Sequence, residues 1–197
     1  MKTVIVLMDF YGHPTLNTDT YTDNIRYSAL SEIFSKVDIN KNECIFFSTY
    51  IPLNAWKLHE LRKIAANSGF RFVCPNNNIT TSIVEKEDES LYTIDYVKQQ
   101  LSMVNFELDN HTQIIIGGTN TSGCVFKSNK GIGAYDWIKA GYKTKIYLPF
   151  CAEFEQKGIT DFERNQNAYA VLYNNIKKNN VFTIDIIKDF DQLELPF

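Results

Sequence analysis

Histidine and cysteine are scarce: three and four respectively among 197 residues. Cys44, Cys74, Cys124 and Cys151 lie far apart and form no C-x-x-C pair. That argues against a zinc ribbon or a thioredoxin-type redox pair. In a reducing compartment they are expected as free thiols, each by default a small buried hydrophobe. An excess of positive charge is missing as well. Lys and Arg total 20 against 23 Asp and Glu, for a net charge of −3, and no basic block occurs. This removes the electrostatic reason to expect nucleic acid or an anionic membrane as partner. No apolar run is long enough to span a bilayer, and the N-terminus lacks the basic-then-apolar layout of a signal peptide. MKTVIVLM is short and runs directly into Asp9, so it reads as a first strand of a cytoplasmic protein. Repeats, low-complexity tracts and Pro-, Gly- or Ser-rich linkers are absent too, and the length suits one domain over 1–197.

What is present is apolar and aromatic residue in quantity, 44% and 14% of the chain, enough for a sizeable core. Short apolar runs alternate with helical patterns. Residues 3–8, 43–48, 70–74, 113–117, 144–148 and 181–187 read as strands, several nearly continuous in Ile, Val and Phe. Such runs suit parallel strands buried on both faces. Between them 23–36, 54–67, 93–104, roughly 124–140 and 161–178 read as helices; in the first, Ile25, Leu30, Ile33, Phe34 and Val37 form one apolar stripe. The alternation predicts a three-layer α/β/α sandwich around a mainly parallel, Rossmann-like sheet of about six strands.

Ligands of open α/β sheets bind beyond the carboxyl ends of the strands. The segments in those places are Asp9-Phe10-Tyr11-Gly12-His13, Ser48-Thr49-Tyr50, Pro75-Asn76-Asn77-Asn78 and Gly117-Gly118-Thr119-Asn120-Thr121-Ser122-Gly123-Cys124. The last is an apolar strand, a Gly-rich turn and a cysteine opening a predicted helix. A thiol there feels the positive end of the helix dipole, which lowers its pKa. The glycines let backbone N–H groups converge beside the sulfur, as an oxyanion hole requires.

GTNTSGCV resembles the G-V-x-T-x-x-C-V signature of the isochorismatase-like cysteine hydrolases, which include nicotinamidases and carbamoylamidases. Gly118, Thr121, Cys124 and Val125 fall on matching positions, while Thr119 replaces an apolar β-branched residue. The resemblance implies a cis peptide at Thr119–Asn120 and an oxyanion hole built from the N–H groups of Asn120 and Cys124. The family's first-strand aspartate matches Asp9, although Tyr11 stands in place of the usual glutamine. Its lysine, in a K-x-x-x-[SD]-x-[FY] stretch, matches Lys86 with Ser90 and Tyr92, 38 residues before Cys124. Asp9, Lys86 and Cys124 are thus the expected catalytic trio, with no cofactor. The implied partner is a small amide-type substrate, and family habit implies a homo-oligomer, dimer or tetramer. Singly, each residue has a plainer reading: a turn cap for Asp9, a solvated charge cluster (EKEDE) for Lys86, helix-start packing for Cys124.

The family's nicotinamidases add a metal site on a D-x-H segment, but Ser48–Pro52 holds no histidine. No metal is therefore expected. His59 and His111 read as surface or turn residues. Tyr11, His13, Tyr50 and Tyr92 are candidate substrate-binding residues, with 10–23 and 76–82 as pocket rims. Trp56 and Trp137 are further ring-stacking candidates, core packing being the alternative fate. Gly131 and Gly133 predict a broken or looped start to helix 124–140. Three competing readings are a diverged member that binds without turnover, a vinyl-ether hydrolase (opposed by Cys124) and a nucleotide-binding domain (opposed by the lack of a P-loop or G-x-G-x-x-G).

Overall fold

The computed structural model describes residues 2–8, 32–33, 44–48, 71–73, 93–118, 121–127, 131–151 and 161–192. Among the described residues there are six strands: β1 (Thr3–Met8), β2 (Cys44–Ser48), β3 (Arg71–Val73), β4 (Gln113–Gly118), β5 (Lys143–Tyr147) and β6 (Asp185–Ile187). All pairings are parallel, and the sheet order is β3-β2-β1-β4-β5-β6. The α/β class follows. The three full-length helices among the described residues are α1 (Ile94–Ser102), α2 (Ala134–Lys139) and α3 (Asp161–Asn179). Of the expected helix 23–36, Glu32 and Ile33 are described and helical, and Ile33 is buried. The expected helix 54–67 lies outside the described residues.

Side chains alternate across the sheet. Val4, Val6 and Met8 of β1 share one face with Ile45, Phe47, Ile114, Ile116 and Ile146, and this face joins a single cluster with residues of all three helices. Val97 and Leu101 enter from α1, Ala134 and Trp137 from α2, Ala168, Leu172 and Ile176 from α3. The opposite face is buried too, around Ile5, Leu7, Phe46, Ile115 and Tyr147. Both central strands are therefore buried along their whole length, which is why their sequences run apolar without alternation.

The helices end by one device. Asn105, Gly141 and Asn180 take left-handed backbone at φ 57°, 88° and 54°. The residue after each donates its N–H back into the helix: Phe106 to the Leu101 carbonyl, Tyr142 to Trp137 and Val181 to Ile176, at 3.0–3.1 Å. These are Schellman turns, and each carries the apolar pair that accompanies the motif. Leu101 with Phe106 and Ile176 with Val181 are core residues, and the rings of Trp137 and Tyr142 meet edge to face at 5.3 Å. At its other end α1 is capped by Thr93, whose Oγ1 accepts from the Tyr96 N–H at 3.1 Å.

Two boundaries differ from the sequence reading. The run 181–187 is a strand only from Asp185. Val181 and Ile184 are buried from a turn in which the Ile184 N–H bonds the Val181 carbonyl, while Phe182 is 68% exposed. An apolar run cannot by itself distinguish a buried strand from a turn that pins two side chains in a core. The helix expected from Cys124 to Ala140 is not continuous, as described below.

At the amino ends of the central strands, Lys2 donates to the Glu107 carbonyl (3.0 Å) and pairs with Asp109 (3.3 Å). Asp109 Oδ1 also accepts from the Thr112 hydroxyl and the His111 N–H. Partial desolvation pushes the Asp109 carboxyl up, but these hydrogen bonds and Lys2 outweigh it and hold the group below the usual carboxylate range. His111 is an exposed turn residue, as expected.

Candidate active site

Strand order reverses between β1 and β4: β2 and β3 lie on one side, β5 and β6 on the other. The chain continues from β1 to β2 on one side and from β4 to β5 on the other, so the crevice at the carboxyl ends of β1 and β4 is where an open α/β sheet receives ligands. β1 ends at Met8, whose register partner in β4 is Gly118. Asp9 follows Met8 in the chain, and 119–124 follows Gly118.

The two strand ends touch closely. A side chain on Gly118 would collide with the Met8 carbonyl, and one on Gly117 would collide with the Phe150 side chain and reach 3.2 Å from the Tyr147 carbonyl. Gly118 is also at φ 156°. Close packing of β4 against β1 and against the Leu148–Phe150 turn thus dictates this glycine pair.

Cys124 sits in a five-residue π turn, Thr121–Val125, closed by a 3.1 Å bond from the Phe126 N–H to the Thr121 carbonyl. The Lys127 N–H then bonds the Gly123 carbonyl at 3.1 Å. Val125 and Phe126 are buried in the core cluster, and α3 packs against the turn from outside the sheet. These anchors fix the turn and leave Gly123 and Cys124 half-buried at its open side. Wide turns of this kind recur at functional sites. Thr121 is fully buried, and its hydroxyl has no hydrogen-bond partner among the described residues. An unmatched buried hydroxyl costs roughly 1–3 kcal/mol.

The expected helix start is corrected here. Cys124 does not open a long α-helix; α2 begins only at Ala134, after glycines at 131 and 133. The predicted break is thus observed, and with it the macrodipole of a long helix is removed from the sulfur. What remains is the partial charge of one turn. Gly133 caps α2, its N–H donating to Asp136 Oδ2 at 3.0 Å. The Tyr135 N–H bonds the Phe126 carbonyl at 2.8 Å, tying the beginning of α2 to the end of the cysteine turn.

Three cysteines are described, and none of them is in a disulfide. Cys44 and Cys151 are buried, the latter donating to the Tyr147 carbonyl at 3.4 Å, and Cys124 is the more open one. Trp137 is not a stacking platform: it is wholly buried, with Nε1 donating to the Ile132 carbonyl at 3.0 Å. Of the other expected site residues, Asp9, Tyr11, His13, Tyr50, Trp56, Lys86, Tyr92, Thr119 and Asn120 lie outside the described residues, as does the Thr119–Asn120 peptide. Among the described residues no three His, Cys, Asp or Glu side chains stand close enough together to hold a metal ion, and no helix is long and apolar enough to cross a membrane.

On the far face of the sheet, Tyr147 meets Phe150 edge to face at 4.8 Å. Burial, with Glu32, Asp189 and Asp191 nearby, pushes its phenol well above the ordinary tyrosine value.

Features missed from sequence lie just past the cysteine. Lys127 and Lys139 stand over the ring of Tyr135 at 5.4 and 4.5 Å, and that ring packs beside Phe126 at 6.0 Å. Their i, i+4 spacing on α2 places Tyr135 and Lys139 together, but only the loop closure brings Lys127 to them.

No protein-family model, curated protein or solved structure matches the chain.

Proposed function

We propose that this chain is an isochorismatase-like cysteine hydrolase with a three-layer α/β/α architecture, cleaving an amide- or ureide-type C–N bond of a small metabolite. The observation that supports this best is the meeting of β1 and β4 at the reversal of strand order. Asp9 is the next residue after one strand end, and a half-buried thiol outside any disulfide, Cys124, stands on the first turn after the other.

In this reading Asp9 accepts the Cys124 proton, with the Lys86 ammonium favouring the resulting anion. The thiolate adds to the substrate carbonyl, and the oxyanion is held by the N–H groups of Asn120 and Cys124. The C–N bond breaks as Asp9 returns the proton to the departing amine, leaving a thioester. Asp9 then deprotonates water, which adds to the thioester and releases the acid and the thiol. Tyr11, His13, Tyr50 and Tyr92 line the substrate pocket. The enzyme uses no metal or cofactor and works as a cytoplasmic homo-oligomer.

The π turn favours a second reading. With no long helix behind Cys124, thiolate stabilisation rests on Lys86 and one turn, as in a diverged member that binds a small ligand or protein without turnover.

Alkylation of Cys124 against pH, followed by peptide mass spectrometry, decides between them. The hydrolase reading expects an inflection well below the free-thiol value of about 8.5, shifted by both Lys86→Ala and Asp9→Asn. An ordinary thiol, indifferent to both substitutions, rejects it.

A further inference from the structure

Packing alone does not account for Thr121. A threonine in a helical turn ordinarily returns its hydroxyl proton to a carbonyl three or four residues earlier. Thr121 does not: its side chain is wholly buried, and Oγ1 finds no partner among the described residues. Its own carbonyl accepts from the Phe126 N–H and that of Gly123 from the Lys127 N–H, both at 3.1 Å. Valine would fill the same volume without enclosing an unmatched hydroxyl. The hydroxyl therefore weakens the resting fold, and its use must be sought in another state of the same turn.

Ionisation of the cysteine supplies the missing acceptor. Cys124 stands three residues on, at a neighbouring position of the closed turn Thr121–Val125. Both side chains face protein: Thr121 is enclosed, and Cys124 is half-buried and packs against the edge of the core cluster. A thiol accepts hydrogen bonds weakly, whereas a thiolate is a charged and much stronger acceptor. We propose that the Thr121 hydroxyl is a donor held for the Cys124 thiolate, matched only when the sulfur is ionised. A bond to the charged form favours it and lowers the thiol pKa. It supplies part of the stabilisation that a long helix behind the sulfur would have given. The inference rests on the hydrolase reading for what the thiolate does in turnover; the hydrogen bond itself concerns ionisation alone. In that reading Thr121 keeps its proton throughout, while the thiol proton goes to Asp9. The bond is lost as the sulfur is acylated and returns as the thioester opens, which favours sulfur as the leaving group.

The test follows iodoacetamide alkylation of Cys124 against pH, by peptide mass spectrometry, in the parent, Thr121→Val, Thr121→Ser and Thr121→Ala. All four proteins carry the same charges, so the comparison isolates the hydroxyl. Thr121→Val is expected to raise the inflection by about one pH unit, which is about tenfold less thiolate below it. Thr121→Ser is expected to keep the parent inflection and Thr121→Ala to move with Thr121→Val. The Ser and Ala pair, alike in size, keeps the comparison if valine disturbs the turn. An inflection unmoved by Val and Ala overturns the inference. One moved as far by Ser as by Ala overturns it too, because lost packing and not the hydroxyl is then the cause. Lys86→Ala and Asp9→Asn separate the two readings. If they leave the inflection alone while Thr121→Val moves it, the hydrolase reading falls and this inference stands; the reverse pattern rejects this inference and keeps that reading.

Discussion

Thr121 separates stability from chemistry at the scale of one residue. Its hydroxyl is buried and unmatched among the described residues, so Thr121→Val, close in shape, is expected to raise stability by about 1 kcal/mol. The urea midpoint checks this; a loss of similar size would show that the hydroxyl is satisfied in solution. Gly118 gives the opposite case. Gly118→Ala drives a methyl group into the Met8 carbonyl and is expected to cost about 3 kcal/mol or more. Tyr147 makes a pH prediction. Its phenol is raised in the fold, so the stability it contributes is complete below the unfolded value of about 10 and is lost as pH rises through the folded one. Titration at 295 nm should show one phenol ionising late, and Tyr147→Phe should remove it. Residues of this kind are only half legible in a sequence. The glycine pair stands out at once, but its cause, contact with β1 and with the 148–150 turn, lies in partners far along the chain.

Elements were more legible than single contacts. Apolar runs located the six strands found among the described residues, because residues buried on both faces of a parallel sheet must be apolar whatever their neighbours. Their ends were less accurate: β5 closes at Tyr147 because Leu148 already belongs to the next turn, and Val181 and Ile184 imitate a strand while serving as core anchors. The Schellman turns carry a testable consequence. Asn180 holds a left-handed conformation that is costly for most residues, so Asn180→Val is expected to lose about 1–2 kcal/mol, and Asn180→Gly to gain up to about 1 kcal/mol. Thermal denaturation of the two variants measures both signs. The break after Cys124 was legible from Gly131 and Gly133, whereas the π turn was not, since its width is imposed by Val125 and Phe126 seeking the core.

At the scale of the molecule, the order of strands is the deciding fact. β1 and β4 lie at the centre of the sheet, and β3 and β6 at its edges. Amides of β1 and β4 are therefore expected to exchange with solvent only through global unfolding, and those of β6 through smaller openings. Hydrogen exchange resolved by strand tests this; equal protection of β4 and β6 would contradict the pairing. The same order places the ends of β1 and β4 side by side at the switch point. That is why a cysteine over a hundred residues after Asp9 in sequence can be considered with it at all.

By itself, the sequence determined that the protein is built from alternating apolar strands and helices, that Cys124 follows a glycine-rich strand end, and that the helix beyond it is interrupted. These are local properties, written in the hydrophobicity and backbone freedom of neighbouring residues. Only the tertiary structure decided that β1 and β4 touch closely enough to require Gly118, that Cys124 belongs to a wide turn rather than a helix start, and that Lys127 and Lys139 meet on Tyr135. Those outcomes depend on which distant surfaces pack together, and burial of the sheet faces, a property of the whole chain, selects them.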